Sequence, residues 1–199
     1  MAHISSIGAA MFSDLAIATP STELSNATLT ALDTAAEFQA LFATEIANVG
    51  GTRAAGAFVR VSNVREFPAM GTPPNVVNVP TYGKKTSSQV QGQADAPSME
   101  ITLNYVPTEW ADEAGNICGL MVGDGIQRVF RFSLLNAEST GSGATKYAST
   151  VGGLGTVQNS QYYWVGKLEA LQVTPGLTDA TTATITITMQ SEFFGAYTI

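Results

Sequence analysis

The sequence predicts a single mainly β domain: a sandwich of two antiparallel sheets flanked by one or two α-helices. Three observations favour this class. Several segments alternate apolar and polar residues with the period of two that a half-buried strand requires, most regularly in TTATITITMQ at 181–190. β-Branched and aromatic residues are frequent in these segments, and stretches rich in glycine or proline separate them. A chain of 199 residues fits one domain of ordinary size.

The first 52 residues form an acidic N-terminal extension. Residues 1–52 contain no lysine or arginine, and their five carboxylates are Asp14, Glu23, Asp33, Glu37 and Glu45. Apolar residues recur at roughly helical spacing near 34–48, where Asp33 or Thr34 can cap a helix and Gly50-Gly51 can end it. We therefore predict a helix over 34–48, preceded by a strand over 9–18.

The middle of the chain is predicted to contain three strands and one long excursion. Strands over 57–64 and 75–82 bracket MGTPPN, whose glycine and prolines favour a turn. The segment 83–97, GKKTSSQVQGQADAP, is polar and almost without apolar anchors, so we predict that it extends away from the domain. A return strand follows over 98–106, where Glu100, Thr102 and Asn104 alternate with apolar residues.

The C-terminal half continues the strand pattern after one helix. The segment PTEWADEAGNICGLMVGDG begins at Pro107, carries early carboxylates and stops at Gly123, which is typical of helix ends. Trp110, Ala114, Ile117 and Met121 would share its buried stripe. Strands are predicted over 126–135, 161–173 and 183–190, with a glycine-rich surface loop over 136–160. The apolar tail EFFGAYTI is expected to pair or dock.

Residues for catalysis, metal binding or phosphate binding are scarce. His3 is the single histidine and lies near the start of the chain, which disfavours Ser-His-Asp and Cys-His arrangements. Cys118 is the single cysteine and is expected to be a small core residue. GSGATKYAST at 141–150 lacks the glycine before and the hydroxyl residue after its lysine that a phosphate loop needs. We therefore expect a protein that is not an enzyme and has no cofactor.

Charge and hydropathy disfavour nucleic-acid-binding and membrane-spanning proteins. Only 13 % of residues are charged and the net charge is −7, so a basic surface for gripping nucleic acid is not expected, and Lys84-Lys85 is too short to provide one. No apolar run approaches the roughly 20 residues that span a bilayer. We expect a soluble product of the cytosol with no membrane partner, whose weakly charged surface is hidden in an assembly.

Residues 75–136 resemble the tail tube, or major tail, proteins of long-tailed, non-contractile bacteriophages. The resemblance lies in an order of segments: a strand ending VPTYG, the polar arm GKKTSSQVQGQADAP, the return strand SMEITLNYVP, an acid-rich helix, a GDG stop and the strand IQRVFRFSLLN. It covers about a third of the chain and extends loosely to the final two strands. Residues 1–52 and the loop 136–160 depart from the family pattern.

The resemblance implies a structural virion protein that assembles into stacked homohexameric rings. Such a tube conducts genomic double-stranded DNA into the host and first encloses the tape measure protein. Its further partners are the tail terminator and the distal tail or baseplate proteins, and its location is the virion tail, after assembly in the host cytoplasm. The arm at 83–97 would contact the neighbouring ring through Tyr82, Lys84, Lys85, Gln89, Gln91 and Asp95.

Two polar rows are the candidates for the channel wall. DNA is a dense polyanion, so a conduit needs neither a lysine-rich wall, which would hold DNA, nor a bare apolar wall, which would be poorly hydrated. Uncharged or mildly acidic rows avoid both problems. We predict that the lumen is lined by Glu100, Thr102, Asn104, Thr184, Thr186 and Thr188.

Three other classes remain open. A β-sandwich binding or decoration module for carbohydrate or protein would use an aromatic platform of Trp110, Tyr162, Tyr163 and Trp164, although three consecutive aromatic residues cannot all face outward. A type VI secretion tube protein would share the architecture, but its own sequence features do not appear in this chain. An enzyme is the least favoured class. Rings or tubes in electron micrographs would favour the tail tube protein over the binding or decoration module.

Overall fold

A computed structural model of the chain describes residues 13–20, 22–69, 76–91, 98–111, 115–135, 159–177 and 179–194. These residues are mainly β, as predicted. The strands are β1 Asp14–Ala18, β2 Thr44–Glu45, β3 Ala57–Arg60, β4 Val64–Glu66, β5 Val76–Val79, β6 Ser88–Gln91, β7 Ser98–Asn104, β8 Arg128–Leu135, β9 Asn159–Thr174 and β10 Thr182–Met189. The helices are short: α1 Asn26–Thr30, α2 Ala35–Ala40, α3 Pro107–Trp110 and α4 Ile117–Met121.

Eight of the described strands form one mixed sheet in the order β2-β3-β1-β8-β9-β10-β7-β4. The β2–β3 pair is parallel and the other pairs are antiparallel. Strand β9 joins two halves of this sheet, because it pairs with β8 up to Gly166 and with β10 from Gly166 onward. A Cβ added at Gly166 would lie 2.8 Å from the Thr188 carbonyl oxygen, so the junction requires glycine.

The sheet rolls over on itself between its second and eighth strands. Only residues 61–63 separate β3 from β4, and four Cα steps span at most about 14 Å. Six flat strand spacings would place the two strands about 29 Å apart. The sheet must therefore curl until β3 and β4 are close enough for residues 61–63 to connect them. Asn63, with a φ of 59°, forms the corner of this connection. The two separate sheets of the predicted sandwich are thus halves of one hydrogen-bonded sheet, with β5 and β6 forming a separate two-stranded sheet.

The main core lies between the two halves. It combines buried side chains of β1, β3, β7, β8, β9 and β10 with Trp110, Ile117 and Met121 from α3 and α4. A second cluster lies on the other face of β1, β3, β8 and β9, where Leu29, Phe38 and Phe42 cover the strands. The segment 26–42 therefore adds a layer to the sheet, which gives part of the N-terminal extension a structural role.

The predicted helix over 34–48 is much shorter in the structure. It begins as predicted at Thr34, which forms a capping box with Glu37, and α2 ends after Ala40. Thr44 and Glu45 then pair with β3 as β2. The apolar spacing that suggested a longer helix comes partly from Phe42, which is buried in a turn and not in a helix.

The predicted helix after Pro107 is divided in two. Helices α3 and α4 are separated around Gly115, which has a φ of 89°, and Asn116 pairs with Val49 in an isolated bridge. The predicted stripe is nevertheless correct for Trp110, Ile117 and Met121, which are all buried. Ala114 lies outside the described residues.

The remaining strand predictions are correct in type over the described residues, with shifted bounds, while residues 9–12 and 75 of the predicted strands lie outside those residues. The predicted strand over 57–64 is β3 and the start of β4, because the corner at 61–63 interrupts it. Helix α1 was not predicted. The tail pairs as expected, since the Tyr163 and Phe194 backbones exchange two hydrogen bonds of 2.7 Å. Most of the glycine-rich loop, 136–158, lies outside the described residues, and residues 159–160 belong to β9.

Candidate functional site

The six predicted wall residues lie on two neighbouring strands with their apolar partners turned to the core. In β10 every second residue is buried, and Thr184, Thr186 and Thr188 are half-buried between them. In β7 the alternation is the same, with Glu100 and Asn104 exposed and Thr102 half-buried. The prediction that the apolar residues of both strands pack inside is confirmed, because Met99, Ile101, Leu103, Ile185, Ile187 and Met189 are buried.

The strand register brings these side chains together on one surface. Thr184 lies opposite Thr102 and Thr186 opposite Glu100, while Asn104 lies opposite Thr182. On the other side of β10, Gln172 of β9 lies opposite Thr184, and on the other side of β7, Glu66 of β4 lies opposite Thr102. We call this surface of β4, β7, β10 and β9 the polar face. Its members are Glu66, Ser98, Glu100, Thr102, Asn104, Lys167, Ala170, Gln172, Thr174, Thr182, Thr184, Thr186 and Thr188.

The polar face is rich in hydroxyls and amides and carries few charges. Thr188 donates a hydrogen bond of 2.8 Å from its hydroxyl to the Glu169 carboxylate, and Lys167 lies opposite Thr188 at the same end. Glu66 and Glu100 are separated from that end by uncharged residues. Short hydroxyl and amide side chains hold water by hydrogen bonds without concentrating charge. The surface is therefore suited to hydrated contact without tight binding.

The predicted arm is a β-hairpin that begins earlier than the predicted segment 83–97. Strands β5 and β6 pair with Val77 opposite Val90 and Asn78 opposite Gln89, so residues 80–87 form the connecting loop. Within the predicted excursion 83–97, residues 88–91 form a ladder with 76–79, which the strand preference of valine favours. Residues 92–97, with the candidate Asp95, lie outside the described residues.

The described side chains of this hairpin are exposed. We call residues 76–91 the arm. Val77, Val79 and Val90 share one of its faces and remain 41–54 % exposed. Of the other arm candidates, Tyr82, Lys84, Lys85 and Gln89 are exposed, and Gln91 belongs to β6. An exposed apolar stripe on a two-stranded ribbon is typical of a surface that another molecule covers.

Sequence reasoning missed a partly buried row of alternating charges across four adjacent strands. Glu45 of β2, Arg60 of β3, Asp14 of β1 and Arg131 of β8 follow in that order. Arg60 bridges Glu45 at 2.8 Å and Asp14 at 3.3 Å, and Arg131 lies 4.0 Å from the same Asp14 oxygen. The signal in the sequence was a single charge inside otherwise apolar strands, as in DLAIA and VFRFS.

Burial dominates the electrostatics of this row. It raises the pKa of Asp14 and the pKa of Glu45, although the neighbouring guanidinium groups oppose both shifts. Arg131 has no exposed surface, and its guanidinium lies 4.8 Å from the Phe42 ring centroid and 4.6 Å from that of Phe58. The row links the strands around the second core, so we assign a structural role to these four residues.

The described residues offer few groups for catalysis or metal binding. Cys118 is buried, and burial raises the pKa of its thiol to about 12, which disfavours the reactive thiolate at neutral pH. Over the described residues, no three histidine, cysteine, aspartate or glutamate side chains form a cluster that could hold a metal ion. His3 lies outside those residues.

The aromatic platform considered for a binding module is not on the surface. Trp110, Tyr163 and Trp164 are buried, and Tyr162 is half-buried. Trp164 packs between Phe130 and Phe193, with ring centroids 5.6 Å and 5.0 Å away. These aromatic side chains fill the two cores, and they present no flat outer surface to a ligand.

No protein-family model and no curated protein matches the sequence. Within the described part of the chain, every helix is too short or too polar to cross a membrane.

Proposed function

We propose that this protein is a structural virion subunit that assembles as stacked hexameric rings into the tail tube of a long-tailed bacteriophage. Its channel conducts DNA during ejection and encloses the tape measure protein beforehand. The protein then belongs to the virion tail, and its partners are copies of itself, the tail terminator and the distal tail or baseplate proteins. DNA passes through without specific binding, and the subunit acts without a cofactor or catalytic residue.

The polar face is the observation that carries the proposal. Its strands are apolar toward the core and rich in hydroxyls outward, and its rows run in register over four strands. A sheet of this kind, repeated around a ring, lines a channel with hydrated side chains of low charge. Such a wall neither grips phosphates nor exposes apolar surface to the passing polymer.

One sheet edge lies beside the polar face, where neighbouring subunits of a ring would meet. Strand β4 ends the order there, and its three residues make this edge short. An edge strand has unpaired backbone groups that a neighbouring subunit can satisfy. Ring closure by identical subunits satisfies each edge in the same way.

The arm supports stacking of such rings. Its valine stripe and its tip stay uncovered in one chain, and an uncovered apolar stripe is stabilised when a second molecule packs on it. A projecting ribbon is well placed to reach the next ring. This use of residues 76–91 is part of the proposal.

Electron microscopy of the purified protein tests the proposal, combined with sedimentation over a range of protein and salt concentrations. We expect six-membered rings or tubes. A matched variant replaces the loop 80–87 by Asn-Gly, which closes β5 on β6 with a two-residue turn. This variant should keep the ring and lose stacking. Persistent monomers of the wild-type chain under all conditions would contradict the proposal.

The alternative of a binding or decoration module is less well supported. The aromatic residues that would have formed its platform are largely buried. The function of a binding module also does not explain why rows of hydroxyl side chains run in register across a weakly charged sheet. Binding of glycans by a stable monomer would favour this alternative over the tube.

A further inference from the structure

An open groove lies between the N-terminal layer and the C-terminal tail. Its floor is apolar and partly aromatic, and the groove encloses about 700 Å³ including its mouth. The floor residues are Leu29, Leu32, Phe38, Val165 and Phe194. Phe38 and Phe194 lie with ring centroids 5.2 Å apart. Phe38 is buried and Phe194 is half-buried, so the aromatic ring that the floor presents is that of Phe194.

The rim of this groove is polar and carries one carboxylate. Gln127, Gln190 and Ser191 lie along it, together with the exposed Glu192. The groove therefore combines an apolar, aromatic interior with a negative edge. A complementary occupant has an exposed aromatic side chain and a nearby positive charge.

The arm of the same chain has both features at its tip. Tyr82 is fully exposed at a turn in which Lys84 N–H donates to the Thr81 carbonyl at 3.3 Å, and Gly83 has a φ of 82°. Lys84 and Lys85 follow and are the only charged residues of the arm. The aromatic residue and the first charge are two positions apart in the arm, as Phe194 and Glu192 are at the groove.

We propose that the arm tip of one copy docks in the groove of a second copy, with Tyr82 on the Phe194 ring and with Lys84 and Lys85 facing Glu192. Complete exposure of Tyr82 means that its own chain does not cover it, so the occupied groove belongs to another molecule. The contact is heterologous: tip and groove are different surfaces, and each copy offers both. Such contacts build open stacks. The inference rests on the proposed function, for which it names the receiving surface.

Disulfide trapping tests the contact directly. Thr81→Cys chains, which keep the docking Tyr82, and Ser191→Cys chains are mixed, oxidised and analysed by peptide mass spectrometry, on whichever oligomers form. The buried Cys118 does not interfere. We expect a cross-link between positions 81 and 191, because docking of Tyr82 at Phe194 should bring the two cysteines within disulfide reach. Leu177→Cys is the matched control, since it is also exposed at a hairpin tip and should not link to position 191.

Trapping also separates this inference from the proposed function. Rings or tubes without the 81–191 link, or with linking of position 177 at the same yield, would overturn the docking and leave the tube intact. The link in small open oligomers that never form rings or tubes would support the docking and contradict the tube.

Charge reversal provides a second test. Glu192→Lys alone, or Lys84→Glu with Lys85→Glu, should raise the concentration needed for stacking about tenfold, because like charges then meet at the contact. Combining the three substitutions should restore stacking to near the wild-type concentration. Failure of this rescue, with all chains folded, would mean that the groove takes a different occupant and would overturn the inference.

Discussion

The ring of Phe67 lies edge-on to that of Phe132, with centroids 5.0 Å apart, although three strands of the sheet separate β4 from β8. This contact joins the two halves of the rolled sheet. It places the polar face on the outside of one half and the second core on the outside of the other. The shape of the molecule therefore depends on closure between these halves as much as on strand pairing.

Truncating either aromatic ring should weaken the packing between the two halves of the sheet. Phe132→Ala is expected to lower the free energy of unfolding by about 3–5 kcal/mol, because Phe132 is buried. Phe67→Ala should cost less, since Phe67 is half-buried. Urea unfolding of the single and double variants would measure the pairwise coupling, expected at about 0.5–1.5 kcal/mol. Strict additivity would show that the rings do not interact.

The partly buried charge row makes a separate prediction about stability. Arg131→Met should lower the free energy of unfolding by about 3–5 kcal/mol, because it removes one of the cations beside the buried Asp14. Arg65→Met, at an exposed position of β4, is the matched control and should change it by no more than about 0.5 kcal/mol. Equal effects of the two substitutions in urea unfolding would contradict the structural role of the row.

Alkaline pH should destabilise the fold. Burial raises the pKa of Cys118 from 9.0 to about 12 and the pKa of Tyr163 from 10.0 to about 12. Between these values the unfolded chain has released protons that the folded chain retains, so the free energy of unfolding falls as pH rises through this window. Below about pH 9 both groups are largely protonated in the folded and the unfolded chain, so they do not lower the free energy of unfolding there.

Cys118→Ala separates the two contributions. The variant should be less stable at neutral pH, because it leaves a small cavity, but it should lose less stability between about pH 9 and pH 12. Urea midpoints measured at several pH values would show this difference in slope. Parallel curves for the variant and the wild type would mean that the thiol does not contribute.

A positive charge on the polar face should affect passage of DNA more than folding. Thr184 lies opposite the uncharged Thr102 and Gln172, so a lysine there has no carboxylate directly opposite it. We expect Thr184→Lys to change the free energy of unfolding by at most about 0.5 kcal/mol and to slow DNA release from assembled particles. Release kinetics and infectious titre would measure the effect.

Two matched variants sharpen this prediction. Thr184→Ser keeps the hydroxyl and should release DNA normally. Thr186→Lys should have a smaller effect than Thr184→Lys, because Glu100 lies directly opposite Thr186. Normal release by particles built from Thr184→Lys would count against a wall role for this face.

Local patterns in the sequence predicted the alternating strands well. The period of two in β7 and β10 correctly separated Ile185 and Ile187 from Thr184 and Thr186, because burial on one face imposes that period. The capping box at Thr34 was likewise visible in the sequence. Both signals arise within a few residues of the chain.

Features set by distant contacts were not predicted. Phe42 and Ile46 continue a helical spacing, but pairing of Thr44 and Glu45 with β3 ends the helix. The roll of the sheet depends on a corner at Asn63 and on one long strand shared by both halves. The arm needed the ladder between β5 and β6, which no alternation within 83–97 indicated.

The most direct test of the central claim is an electron cryomicroscopy map of the assembled protein at side-chain resolution. We predict a hexameric tube in which Thr102, Thr184 and Thr186 line the channel, while Ile185 and Ile187 point into the subunit core. A tube with this face on its outer surface, or an assembly without a channel, would contradict the account.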